Sequence, residues 1–149
     1  MALATDLLDL LLAVDGDFTP ALSSRLALDD YASKLAEKAT VFSVFSEGRM
    51  SAFAALYCND PEGVSAFLSM VAVDPQRRGT GLAMHLLGAA IDYLRQQGFA
   101  VLRLEVYPDN AAALRLYEKL GFERKAPTST AIPMELALSA TPVVFPSKN

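Results

Sequence analysis

Gln76, Arg77, Arg78, Gly79, Thr80 and Gly81 lie between an apolar run, Val71–Val73, and a leucine-bearing segment that opens at Leu82. Glycines just ahead of a helix let a ligand come close to the main chain. The first turn of that helix leaves its N–H groups unpaired at the positive end of the dipole. Together these features suit a phosphate or pyrophosphate, with Arg77 and Arg78 adding charge-assisted contacts. Taken alone, the pattern has a second reading: a tight strand-to-helix turn with two solvated arginines. The third glycine of a dinucleotide fingerprint and the Gly-Lys-Ser/Thr of a phosphate-binding loop are both missing, which argues against a nucleotide domain.

Other reactive side chains are few. His85 is the only histidine and Cys58 the only cysteine, so the sequence offers no internal disulfide and no His/Cys metal site. His85, shortly after Gly81, reads as a surface or boundary residue. Covalent catalysis at Cys58 needs an activating base that the sequence does not supply, and burial is the expectation there. Tyr57 and Tyr107 fit the wall of a pocket or ordinary strand packing equally well. Arg95 and Arg103 read as solvated charges.

A chain of 149 residues suits one domain, and 52% hydrophobic against 20% charged residues marks it as folded rather than disordered. A net charge of −4 argues against a general nucleic-acid binder, which needs a basic face. The apolar stretch Met1–Gly16 carries Asp6 and Asp9, lacks a basic leader and is too short to span a bilayer, so it reads as an amphipathic helix. With a single cysteine and no membrane segment, the expected compartment is the reducing cytoplasm.

These residues need elements to hold them. Leu3, Leu7, Leu8, Leu11 and Leu12 recur at helical spacing up to Gly16, and Leu28, Tyr31, Leu35 and Ala39 form a second helical face with Asp29 or Asp30 near its start. Residues 40–57 read as a hairpin about Glu47-Gly48. Asn59–Gly63 is a turn, and Val64–Val73 is a strand whose last half is apolar enough to be buried on both faces. From Gly79 to Gln97 the stripe Leu82, Leu86, Ala89, Ala90, Tyr93 and Leu94 predicts a helix ended by Gly98. A strand over Phe99–Tyr107 is followed by a second strong helix, capped by Asp109 or Asn110 and closed by Gly121. Short strands around Pro127 and Pro133 complete one mixed α/β domain, residues 1–138, with 139–149 as a loose tail.

Two stretches, "VAVDPQRRGTGLA" and "LEVYPDNAAALRLYEKLGF", resemble the GCN5-related N-acetyltransferase (GNAT) superfamily over Val64–Phe122. Its hallmark Q/R-x-x-G-x-G/A is matched by Gln76, Gly79 and Gly81, and the later stretch matches its Asn…Leu-Tyr-Glu-Lys-Leu-Gly-Phe segment. The resemblance implies an α+β fold, a mixed, mostly antiparallel twisted sheet flanked by helices, with the usual first strand missing or degenerate. It implies acetyl-CoA as co-substrate and no metal. The coenzyme A pyrophosphate would lie on the amides of Arg78, Gly79, Thr80, Gly81 and Leu82. The pantetheine arm would pair with the main chain of Val71 and Val73, and Asn110 would reach the cofactor from the second helix.

Acetyl transfer from a thioester needs a neutral amine, a donor for the developing oxyanion and a proton for the departing thiolate. Tyr117 matches the family's general acid, and packing alone is its other reading. Glu105 matches the position of the base in some branches, with a water relay, Asp60 or Glu62 as alternatives. The Val71 N–H is the expected oxyanion donor. The resulting reading is an N-acetyltransferase in which a primary amine attacks directly in a ternary complex; the alternative is a non-catalytic acyl-CoA-binding module. The acceptor is a small-molecule amine or a protein N-terminal amine. The Leu56–Gly63 turn resembles members that handle amino sugars. Pairing through the hairpin or last strand would give a homodimer; neither nucleic acid nor membrane is expected as a partner.

Overall fold

A computed structural model describes residues 2–18, 21–24, 26–127 and 130–138. The elements are α1 (Ala2–Val14), α2 (Leu28–Lys38), β1 (Thr40–Ser46), β2 (Arg49–Tyr57), β3 (Ser65–Val73), α3 (Leu82–Gln96), β4 (Val101–Val106), α4 (Ala111–Lys119), β5 (Glu123–Arg124) and β6 (Ile132–Ala137). Six strands run in the order β1-β2-β3-β4-β6-β5; β1–β2, β4–β6 and β5–β6 pair antiparallel and β3–β4 pairs parallel. This is the expected mixed, mostly antiparallel sheet with helices. The first described element is α1. Residues 139–149, read as a tail, lie outside the described residues.

The described residues of Met1–Tyr57 and Leu68–Ala90 form one compact unit, and those of Cys58–Phe67 and Ile91–Asn149 form another. In the first, Leu7, Leu10, Leu11 and Val14 of α1 recur on one helical face and are buried with Leu28, Ala32 and Leu35 of α2. No side chain caps α2, whose N-cap is Ala27; Asp29 and Asp30 instead sit in its first turn, where their charge favours the dipole. The β1–β2 hairpin turns at Glu47 and Gly48, both at positive φ (55° and 80°), as a two-residue hairpin loop requires. Its register shifts between Val44↔Ala52 and Phe45↔Met50, leaving Ser51 as an extra residue. The shift brings Met50 into the same core as Phe53 and Ala55, and the Ser51 carbonyl accepts from the Asp74 N–H at 2.8 Å. A bulge in β2 thereby anchors the chain where it leaves β3.

In the second unit, β4 alternates cleanly: Leu102, Leu104 and Val106 are buried while Arg103 and Glu105 are exposed. β6 pairs with β4 from Val101↔Ala137 to Val106↔Ile132, and Arg103 is not simply solvated: its Nε lies 3.5 Å from the carboxylate of its cross-strand partner Glu135. The parallel register of β3 with β4 covers Ser65↔Val101, Ala66↔Leu102 and Phe67↔Arg103. Leu68–Val73 lie outside it.

Two further expectations are corrected. The last half of β3 is not buried on both faces: Ser69, Met70, Val71 and Val73 are half-buried, and of that stretch only Leu68 and Ala72 are buried. Apolar composition cannot tell a strand paired along its whole length from one whose register with a neighbour stops early. Along α3 the buried face is Leu86, Leu87, Ala90, Ile91 and Leu94, whereas Ala89 is exposed. The inward face is thus rotated by about one residue from the predicted stripe, because leucine and isoleucine bury more apolar area than alanine.

Candidate active site

The glycine loop occupies the first unit. Pro75–Arg77 form a single tight turn whose N-cap, Asp74, accepts the Gln76 N–H at 3.0 Å on its carboxylate and the Arg77 N–H at 2.8 Å on its carbonyl. Thr80 Oγ1 donates to the Arg77 carbonyl at 2.5 Å, fixing the chain as it swings toward α3. Gly79 and Gly81 both take φ of 80°, a conformation that costs an L-residue about 1–2 kcal/mol. A Cβ at either would meet nothing within 4 Å, so these glycines are required by the backbone conformation and keep the surface above it open. The Gly81 carbonyl accepts the His85 N–H at 3.0 Å and so begins α3. Among the described residues, none of the N–H groups from Arg78 to Leu82 meets an acceptor. These open donors fit the pyrophosphate that the sequence pattern suggested.

Arg78 does not stand free over that loop. One guanidinium nitrogen, Nη2, donates to Asp17 Oδ2 at 2.5 Å and to the Val73 carbonyl at 3.2 Å. Asp17 ends the short turn after α1. Sequence reasoning missed this residue, and no local signal exists for a partner 61 positions away. On the same unit, Tyr31 and Ser69 share a hydrogen bond of 2.6 Å, and the Tyr57 hydroxyl is buried without a partner among the described residues, with Lys34 Nζ 5.7 Å from its ring. Burial raises the Tyr31 and Tyr57 phenols above their ordinary range. His85 is exposed and contributes its backbone to the helix start.

In the second unit, Asn110 caps α4: its Oδ1 accepts the Ala113 N–H at 3.1 Å. Asn110 and not Asp109 is the cap, and with Oδ1 engaged, its Nδ2 donors are the part that can address a ligand. Tyr117 lies on the inner face of α4, only 9% exposed, with its ring edge-on to Phe122 at 5.5 Å. Burial pushes its phenol up to about 12. Glu105 is exposed on β4, opposite Leu104 and Val106, and forms no hydrogen bond or ion pair among the described residues. Asp60 is a poor base. Its carboxylate accepts the N–H groups of Ser65 (2.9 Å), Val64 (3.1 Å) and Glu62 (3.1 Å), and these bonds hold it below the usual carboxylate range. It shapes the turn before β3. Glu62 and Cys58 are exposed and half-buried respectively. Among the described residues no group of His, Cys, Asp or Glu is arranged to hold a metal ion, and no helix is long and apolar enough to cross a membrane.

The chain belongs to the acetyltransferase (GNAT) family, whose model matches residues 6–122. It is 42% identical over 92 residues to the ribosomal protein bS18-alanine N-acetyltransferase of Escherichia coli; that match covers 62% of this chain and 60% of the relative. A crystal structure of the ribosomal-protein-S18-alanine N-acetyltransferase from Escherichia coli superimposes with a TM-score of 0.67 at 34% identity, covering 91% of this chain and 92% of that one. A shorter match, 50% identical over 54 residues, links 36% of this chain to 18% of a mycothiol acetyltransferase from Kocuria rhizophila.

Proposed function

We propose that the protein is an acetyl-CoA-dependent N-acetyltransferase that acts on a primary amine in the cytoplasm, by direct attack in a ternary complex. The observation that carries this reading is the run of N–H groups from Arg78 to Leu82 at the start of α3, unpaired among the described residues, on the family's own glycine pattern. Acetyl-CoA supplies an activated acyl thioester. The chain supplies the rest. The Arg78–Leu82 amides bind the pyrophosphate, and the main chain of Val71 and Val73, in the part of β3 outside the β4 register, aligns the pantetheine arm. The Val71 N–H donates to the developing oxyanion.

Tyr117 Oη donates toward the departing sulfur. A thiol titrates near ~8.5, so full transfer from a phenol at about 12 is uphill by roughly 5 kcal/mol. Tyr117 therefore acts chiefly by holding a hydrogen bond on the sulfur as its charge grows, with complete transfer requiring its pKa to fall in the ternary complex. Glu105, exposed and with its carboxylate unpaired among the described residues, takes the amine's proton directly or through water; the engaged carboxylate of Asp60 removes that rival.

The acceptor class follows the relatives' names only as far as a primary amine. A protein N-terminal amine leads, since one relative is named for an alanine of a ribosomal protein, and the other for mycothiol points to a small molecule. Calorimetric titration with acetyl-CoA, coenzyme A, ATP and NAD tests the cofactor assignment. Binding of the first two alone is the expected result, and binding of none, or of ATP or NAD instead, would overturn it. Thiol release in the presence of alanine-terminated peptides and of amino sugars then separates acceptor classes. Binding without release for any amine would favour the non-catalytic acyl-CoA-binding alternative.

A further inference from the structure

Arg78 and Val73 are both assigned to the cofactor in the reading above, yet they are bonded to each other. Nη2 of Arg78 donates at once to the Val73 carbonyl, 3.2 Å away, and to Asp17 Oδ2, 2.5 Å away. Because a single nitrogen serves both acceptors, turning the guanidinium off Val73 also disturbs its bond to Asp17. Asp17 belongs to the short turn Asp15–Asp17, and the same turn is fastened to the next one by Asp15. The Asp15 carboxylate accepts both the N–H and the Oγ–H of Ser23 at 2.7 Å, which holds its pKa below the usual carboxylate range. The turns Asp15–Asp17 and Leu22–Ser24 are thus tied together, and Asp17 ties them to the loop before α3.

Resting on the acetyl-CoA assignment, we infer that Asp17 is a holding residue for cofactor binding. It parks Arg78 across the Val73 carbonyl, and the pyrophosphate displaces it. The exchange is chemically even-handed: one anionic oxygen partner replaces another on the same guanidinium. Nearly half of each side chain is exposed (46% for Arg78, 44% for Asp17), so the pair contributes little stability and yields readily to a doubly charged competitor. When the guanidinium leaves, the Val73 carbonyl is freed to accept from the pantetheine arm, and the tie between the turn Asp15–Asp17 and the loop is released. Cofactor occupancy is thereby reported to the turns Asp15–Asp17 and Leu22–Ser24 before any acceptor arrives.

Asp17→Asn removes the competing charge while keeping size. Coenzyme A should bind about 2- to 5-fold more tightly to this variant, and Arg78→Ala should bind it more weakly. In the Arg78→Ala background Asp17→Asn should then have no effect, the mark of action through Arg78. Hydrogen exchange of Asp15–Asp17 and Leu22–Ser24 should quicken when coenzyme A binds the natural chain, and be quick already in Asp17→Asn without it. Weaker or unchanged binding by Asp17→Asn, with Asp17→Ser behaving likewise as a second variant, would overturn the inference while leaving the cofactor assignment intact. Failure of the natural chain to bind coenzyme A would overturn the cofactor assignment itself, and the inference with it.

Discussion

Tyr31 Oη on α2 and Ser69 Oγ on β3, 38 residues apart in sequence, are joined by a part-buried hydrogen bond of 2.6 Å. It links the helical layer of the first unit to the one polar side chain in the apolar Ala66–Val73 stretch of β3. Tyr31→Phe keeps the ring packing but leaves the Ser69 hydroxyl to find another partner. The expected loss is about 1 kcal/mol of unfolding free energy, read from urea unfolding with an unchanged slope. Tyr31→Phe combined with Ser69→Ala should cost less than the sum of the single changes, since the second removes the orphan that the first creates.

Tyr117 makes the protein sensitive to alkali. Below pH 10 the folded and unfolded chains both carry the phenolic proton, so stability is independent of it. Above 10 the unfolded chain releases the proton, whereas the folded chain retains it until about 12, so stability falls as pH rises through that window. The full loss is about 2–3 kcal/mol for a shift from 10.0 to about 12. Tyr117→Phe should flatten that part of the stability profile. Some slope will remain, because burial raises the Tyr31 and Tyr57 phenols in the same direction. With acetyl-CoA and an amine, the same variant should lower kcat about 100-fold with little change in KM. A normal kcat would reduce Tyr117 to a packing residue against Phe122.

Asn110 carries two separable duties. Its Oδ1 caps α4 through the Ala113 N–H, and the proposed second duty falls to Nδ2, which has no partner among the described residues. Asn110→Asp preserves the cap and replaces the amide donors with an acceptor that repels an anionic ligand. Thermal stability should hold while coenzyme A affinity drops about tenfold or more, the equivalent of roughly 1.4 kcal/mol. Asn110→Ala should lose both functions, with about 1 kcal/mol of stability gone. Unchanged affinity in Asn110→Asp would leave Asn110 a cap and nothing else.

The elements that the sequence determined by itself are those set by short-range physics. The hairpin about Glu47-Gly48, a cap at Asp109 or Asn110, the glycine turn at Gly79 and Gly81 and the stop at Gly121 each depend on residues within a few positions, and each was legible as a period, a capping residue type or a positive-φ requirement; which of Asp109 and Asn110 caps was decided by the fold. The family motif is equally local, which is why the candidate cofactor loop could be read before any fold was known. Tertiary structure decided what depends on partners brought from elsewhere in the chain. Only the fold shows that β3 pairs with β4 over Ser65–Phe67 and no further, that the Asp60 carboxylate is consumed by the turn it caps, and that burial raises the Tyr117 phenol. Asp17 is the clearest case: nothing in its neighbourhood predicts a guanidinium 61 residues away, and the pairing arises because α1 ends where β3 gives way to the glycine loop. Composition and period fix which backbone conformations are cheap. Which groups then meet, and so which charges are held or left open, depends on long-range packing that no short window of sequence contains.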